Sequence, residues 1–244
     1  MRRRVRVVVG LAALAGLAAL LAWGFKGLPA FGAYKGPYGF VLDRIATPER
    51  HVTNVVNATT YDYRGFDTMG EEFILFAAVI GVVLLLRDQS HERDVEDGIR
   101  SDAVRLGGGS MVGGGVLIGL WLIAFGFVTP GGGFQGGVAV ASALLLVFAA
   151  VGYRAWSRIG NEEVLDPLEG LGAGGYVAVG LAALASGLPF LANLLGPGIV
   201  GTLWSGGSAV LVNWSAGIEV AAATLVLYAE FLEAHAAPIM RGAG

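Results

Sequence analysis

A chain of 244 residues that is 55% hydrophobic, only 14% charged and of mean hydropathy +0.67 is too apolar for an ordinary soluble domain and reads as an integral membrane protein. A net charge of −3, with no basic cluster interleaved with aromatics, argues against nucleic-acid binding. No cysteine means no disulfide, thiolate metal site or iron–sulfur ligand, and His51, His91 and His235 make no metal-binding spacing, so neither metal nor cofactor nor catalytic triad is expected.

A membrane span needs roughly 20 predominantly apolar residues. In chain order, Val5 to Trp23, Met111 to Thr129, Gly136 to Tyr153, Leu171 to Leu191 and Trp214 to Leu232 meet that test. Phe73 to Leu86 is too short, and to span it must recruit residues back to about Asp67. The expected fold is therefore all-α, a polytopic protein of about six transmembrane helices in a cell membrane. Arg2 to Trp23 also resembles a signal peptide, but no A-x-A precedes Gly24, so a retained helix is expected; cleavage would leave five spans.

The lysine and arginine tally sets the orientation. With the N-terminus inside, the inner segments hold eleven: Arg2, Arg3, Arg4, Arg6, Arg87, Arg93, Arg100, Arg105, Arg154, Arg158 and Arg241. The outer segments hold five: Lys26, Lys35, Arg44, Arg50 and Arg64. Both termini are expected in the cytoplasm.

The first two spans, over residues 1–88, enclose an outer loop from Gly24 to about Arg64 whose prolines and aromatics suggest ordered structure at a membrane surface. Within it Asn57-Ala58-Thr59 formally matches a glycosylation sequon, but Asn54 and Asn57 are better read as capping or helix-bridging residues. A mixed-charge stretch ending at Arg105 follows, read over 89–105 as a solvated cytoplasmic linker, and 106–244 forms a four-helix part. There, Gly115 and Gly119 stand in the small-x-x-x-small relation that lets helices approach closely.

Acids are the costly residues in such a chain. Arg64, Asp67, Glu71 and Glu72 sit at the head of the short second span, where Asp67 and Glu71 share a helix face with Arg64 one turn before. The cluster can hold or pass a proton or cation, or it can cap the helix with ion pairs in the headgroup region. Glu219 lies inside the last span and Glu230 nearer its inner end; a charge there costs several kcal/mol unless paired or hydrated, so Glu219 is either a functional carboxylate or an interhelical hydrogen bonder.

Between the third and fourth spans stand Pro130, Gly131, Gly132, Gly133, Phe134, Gln135, Gly136 and Gly137. Proline ends a helix, and successive glycines either expose amides as an anion cradle or allow a tight, closely packed hairpin. The hairpin is the expected role.

This octapeptide and the Ala/Leu-rich helix after it resemble the signature of the MnhB-like small subunit of Mrp-type multisubunit cation/proton antiporters, which an equivalent small subunit of membrane-bound hydrogenases shares. Upstream, NVVNATTYDYRGFDTMGEEFILFAAVIGVVLLL is similar to the C-terminal part of the large first subunit of the same antiporters. The resemblance implies a fusion of that large-subunit tail with an MnhB-like subunit. It also implies a non-catalytic small subunit that works with other membrane subunits, the lipid bilayer, protons and a monovalent cation such as Na⁺. An ion module of a hydrogenase or complex-I-like enzyme, and a purely structural scaffold, are the alternatives.

Overall fold

The computed structural model describes residues 3–30, 32–33, 36–86 and 101–235. Most of the charged linker lies outside the described residues, and its end, from Asp102, already belongs to a helix capped by the Ser101 hydroxyl. The chain divides into two compact units, residues 1–41 and 42–244. In the first, helix α1 runs from Arg3 to Lys26. Helix α2, Tyr38–Arg50, begins in that unit and continues into the second, where Leu42 and Ala46 are buried.

The second unit is an all-helical bundle. Its long helices are α4 (Gly65–Leu86), α5 (Asp102–Ala124), α6 (Gly133–Val151), α8 (Glu162–Ala185) and α9 (Ala209–His235), with short α3 (Val55–Ala58) before them and short α7 (Tyr153–Trp156) between α6 and α8. These five and α1 are each long and apolar enough to cross a membrane, six in all among the described residues. The short second span does extend upstream, to Gly65.

Helix α9 is the axis: 61% of its most apolar window is buried, against 6–28% in the other four. Glycines fix how its neighbours approach. A Cβ on Gly115 would fall 2.7 Å from that of Ala143, and one on Gly119 2.6 Å from Val140 and 3.0 Å from the Gly136 carbonyl, so α5 and α6 pack antiparallel along a small-residue seam, as the spacing suggested. Gly137 meets Gly217 and Val220, which makes α6 and α9 parallel. Glu72 meets Glu219, and seven residues on Val79 shares a cavity with Val226, so α4 runs parallel to α9 as well, and α4, α6 and α9 begin at one end, called the upper end.

Two helix boundaries differ from the hydropathy reading. α8 starts at Glu162, nine residues before Leu171, because Asn161 caps it and Glu163 and Asp166 in its first turns suit the positive end of the helix dipole. It stops at Ala185, and the segment to Ser208 turns repeatedly through positive-φ glycines to roof the upper end. There His51 Nδ1–H donates to the Gly198 carbonyl at 2.6 Å, and Asn193 Nδ2 to the Gly206 carbonyl at 2.9 Å. The glycine turn is also placed earlier than the octapeptide suggests: α5 ends at Ala124 and α6 starts at Gly133, so the connection runs from Phe125 to Gly132, and of the octapeptide only Pro130 to Gly132 belong to it while Gly133 to Gly137 are helical.

A candidate carboxylate site between α4, α8 and α9

The glycine turn resolves first, because its amides decide between cradle and hairpin. Gly131 and Gly132 take φ of 149° and 148°, a region that favours glycine. The Gly132 amide donates to the Leu122 carbonyl at 3.1 Å. The Gly133 amide donates to Asn213 Oδ1 at 2.7 Å, and that of Phe134 to the Tyr61 hydroxyl at 3.3 Å. These amides are occupied from within the protein, so the turn works as a packed hairpin. The cap of α6 comes from α9, 80 positions away.

Asn213 is the hub of this arrangement. It also accepts from Asn57 Nδ2 at 3.1 Å and donates to the Ile123 carbonyl at 2.8 Å, joining α3, α5, α6 and α9. Asn54 caps α3 through Oδ1 and sends Nδ2 to the Gly126 and Thr129 carbonyls. Asn57, at 1% exposure, is a helix bridge and closed to glycosylation. Replacing Asn213 by alanine leaves the Gly133 amide and Asn57 Nδ2 buried without partners. At about 1–3 kcal/mol for each such group, a fall in Tm of the detergent-solubilised protein of several degrees is expected in a thermal-shift measurement.

The acids divide into two groups. Arg64 binds Asp67 as foreseen, with Nε and Nη2 at 2.6 and 2.5 Å from Oδ2, but the pair is exposed, as is Glu71. Asp67, Thr68 and Glu71 line a pocket of about 140 Å³ with Thr59 and Thr60. This pocket adjoins the π-helical turn Thr59–Tyr63 that precedes α4, a helix form frequent at functional sites. In the same turn Asp62 pairs with Arg50 at 3.3 Å; burial pushes its carboxyl above the usual range and Arg50 pulls it part of the way back.

Glu72 points the other way. At 2% exposure it faces Glu219 of α9, at 0%, near enough for their carboxyls to interact directly, yet none of their four oxygens has a hydrogen-bond partner of good geometry among the described residues. A third acid, Glu169 of α8, is 5% exposed and its Oε1 is likewise unpartnered. The groups acting electrostatically on Glu72 and Glu169 are other carboxyls: Glu219 and Glu71 on the first, Glu219 and Asp166 on the second. Gly172 makes room, since a Cβ there would fall 2.5 Å from Cβ of Glu219. Tyr61 lies above; burial, then the Glu72 carboxyl, push its phenol well up, which keeps it a neutral donor and acceptor beside the α6 cap.

Glu230 does not join this group. It is buried on the same helix as Glu219 but eleven residues on, about 16 Å along the axis at 1.5 Å per residue. The structure thus brings Glu72 and Glu219 together, holds Asp67 and Glu71 on an exposed face, and adds Glu169, which sequence reasoning missed because it falls just before the apolar run starting at Leu171. Its place one turn from Gly172 was the available signal. Among the described residues no trio of His, Asp or Glu converges to hold a metal ion, so the acids form a series and not a cage.

Residues 106–226 match the family described as a domain related to the MnhB subunit of Na⁺/H⁺ antiporter, and residues 1–101 match the MbhE family of MBH subunits. An uncharacterised protein of Methanocaldococcus jannaschii is 30% identical over 58% of this chain and 60% of its own length. A probable K⁺/H⁺ antiporter A/B subunit of Rhizobium meliloti is 30% identical over 58% of this chain and 16% of its own. The chain therefore spans less than two thirds of either relative. Among solved structures, a chain of the membrane-bound sulfane sulfur reductase, an archaeal respiratory membrane complex, superposes with TM-score 0.64 at 28% identity, over 93% of this chain and 98% of that one. A chain of the Mrp complex from Dietzia sp. shares the fold at TM-score 0.60 and 21% identity, covering 94% of this chain and 26% of its own length. With six helices long and apolar enough to cross a membrane among its described residues, this multi-pass membrane protein is an MnhB-domain protein with an MbhE domain at its N-terminal side, related to the Mrp antiporters and to membrane-bound hydrogenase and sulfane sulfur reductase complexes.

Proposed function

We propose that this chain is a non-catalytic subunit of a multisubunit monovalent-cation/proton antiporter and that the Glu72–Glu219 pair lies on the ion pathway. The observation that carries the reading is that pair: two buried carboxyls from different helices, side by side, with no partnering cation or hydrogen bond of good geometry among the described residues. An unpaired buried carboxylate is costly, so such a pair is stable only when it shares protons or holds a cation, and it can release either. The upper pocket at Asp67 and Glu71 would be its mouth on one side, with Arg64 holding Asp67. The two-part organisation, an antiporter large-subunit tail followed by an MnhB-like domain, draws support from the similarity to an antiporter A/B subunit and from the change of family match between residues 101 and 106, from MbhE to MnhB.

A second reading keeps the pathway and changes the machine. The superposition on the sulfane sulfur reductase chain is nearly end to end on both sides, whereas the Mrp chain is far longer. That favours an ion-translocating module of a respiratory complex, in which redox chemistry belongs to other subunits. Purifying the complex through this chain and identifying its subunits separates the two. In everted vesicles carrying the complete complex, Glu219→Gln is expected to abolish cation-dependent proton flux with assembly unchanged on a native gel. Asp67→Ala, at an exposed mouth, should lower it several-fold only. Normal flux in Glu219→Gln would sink the reading.

A further inference from the structure

Glu169 stands one helical turn below Gly172, and Gly172 touches Glu219. Asp166 is one turn further toward the lower end, so Asp166, Glu169 and Gly172 follow one i,i+3 ridge of α8, each step rising about 4.5 Å and turning about 60°. Between α4 and α8 at this level is a cavity of about 270 Å³ lined by Val79, Val83, Asp166, Glu169, Gly170 and Val226. It has room for several waters at about 30 Å³ each. Glu169 is nine-tenths buried, lines the cavity and has an unpartnered Oε1, while Asp166 is exposed. Dry, the cavity would leave Glu169 Oε1 without a partner; water in it would join Glu169 to Asp166.

We infer that Asp166 and Glu169 form a second binding station for a proton or monovalent cation, through which the Glu72–Glu219 pair exchanges with the lower side of the membrane by way of this cavity. This rests on the pathway proposed above and gives it its other half. The upper pocket reaches Glu71, one residue before Glu72, and the lower cavity reaches Glu169, beside Glu219. Glu72 and Glu219 line neither opening; along α4, Glu72 stands between Glu71 of the upper pocket and Val79 of the lower cavity, the position an exchanging pair needs.

The chain has no cysteine, so single cysteines can be read unambiguously as mass shifts on this subunit. In vesicles carrying the complete complex, Val83→Cys and Gly170→Cys are expected to react with a membrane-impermeant thiol reagent from the lower side alone. Glu169→Gln is expected to lower cation-dependent proton flux at least tenfold. A raised KM for the cation identifies a cation station, and a lowered maximal rate at unchanged KM identifies a proton station. If both cysteines stay inert from either side, or if Glu169→Gln keeps normal flux while Glu72→Gln loses it, the inference is overturned and the pathway through Glu72 stands. Normal flux in both glutamine variants overturns the two together.

Discussion

Replacing Glu72 by glutamine is expected to reduce cation-dependent proton flux to the level of vesicles lacking the complex, at least a hundredfold, with the complex assembled in normal amount. Glutamine keeps the shape of the side chain and removes its capacity to take up a proton or balance a cation. Because Glu72 and Glu219 share one enclosed space, the double variant should be no worse than either single one, the non-additivity expected of groups that act as a unit. Glu72→Asp, which keeps the charge on a shorter stem, should retain measurable flux. The folded state loses no hydrogen bond of good geometry in the exchange, so the thermal transition should not fall by more than about 1 kcal/mol equivalent. Flux in Glu72→Gln above a tenth of normal would show that ions cross elsewhere.

Gly133→Val should abolish assembly rather than transport. A Cβ at Gly133 would overlap the Asn213 carbonyl oxygen and lie 2.8 Å from the Gly217 amide and from the Tyr61 hydroxyl. All three of these neighbours are fixed: two backbone atoms of α9 and a buried phenol held at the α6 cap. Overpacking a well-filled core costs about 1–3 kcal/mol even where flexible side chains can yield. Here α6 must leave α9, and the Gly133 amide then loses its bond to Asn213. The expected result is loss of the subunit from the membrane and of the complex from a native gel. Gly70→Ala is the matched control, since a Cβ there meets nothing within 4 Å. It should change stability by no more than about 1 kcal/mol, in the stabilising direction. Normal assembly of Gly133→Val would overturn the account of the turn as a packing device.

What the sequence made legible follows from which forces are local. Six spans are a matter of apolar length, and even the short second one could be extended correctly, because the bilayer thickness demands it. The glycine turn was readable as a packed hairpin from composition, though not its cap: Asn213 stands one residue before the apolar run that marks the last span, and nothing local announces that it will reach Gly133. Among the acids, the helical spacing of Asp67 and Glu71 placed them rightly on one face but not which way that face points. Glu72, one residue on, is turned some 100° and faces inward. Glu169 was hidden for the opposite reason: charged first turns suit a helix dipole, so the start of α8 looked like loop.

The burial of α9 also bears on how the protein is made. It is the last of the described helices, yet it supplies the cap of α6, the partner of Glu72 and contacts to α4, α5, α6 and α8. Until it emerges from the ribosome, the α5–α6 hairpin stands in lipid with its first amide unsatisfied and Glu72 faces hydrocarbon alone. Insertion of the final segment is then the step that commits the whole bundle.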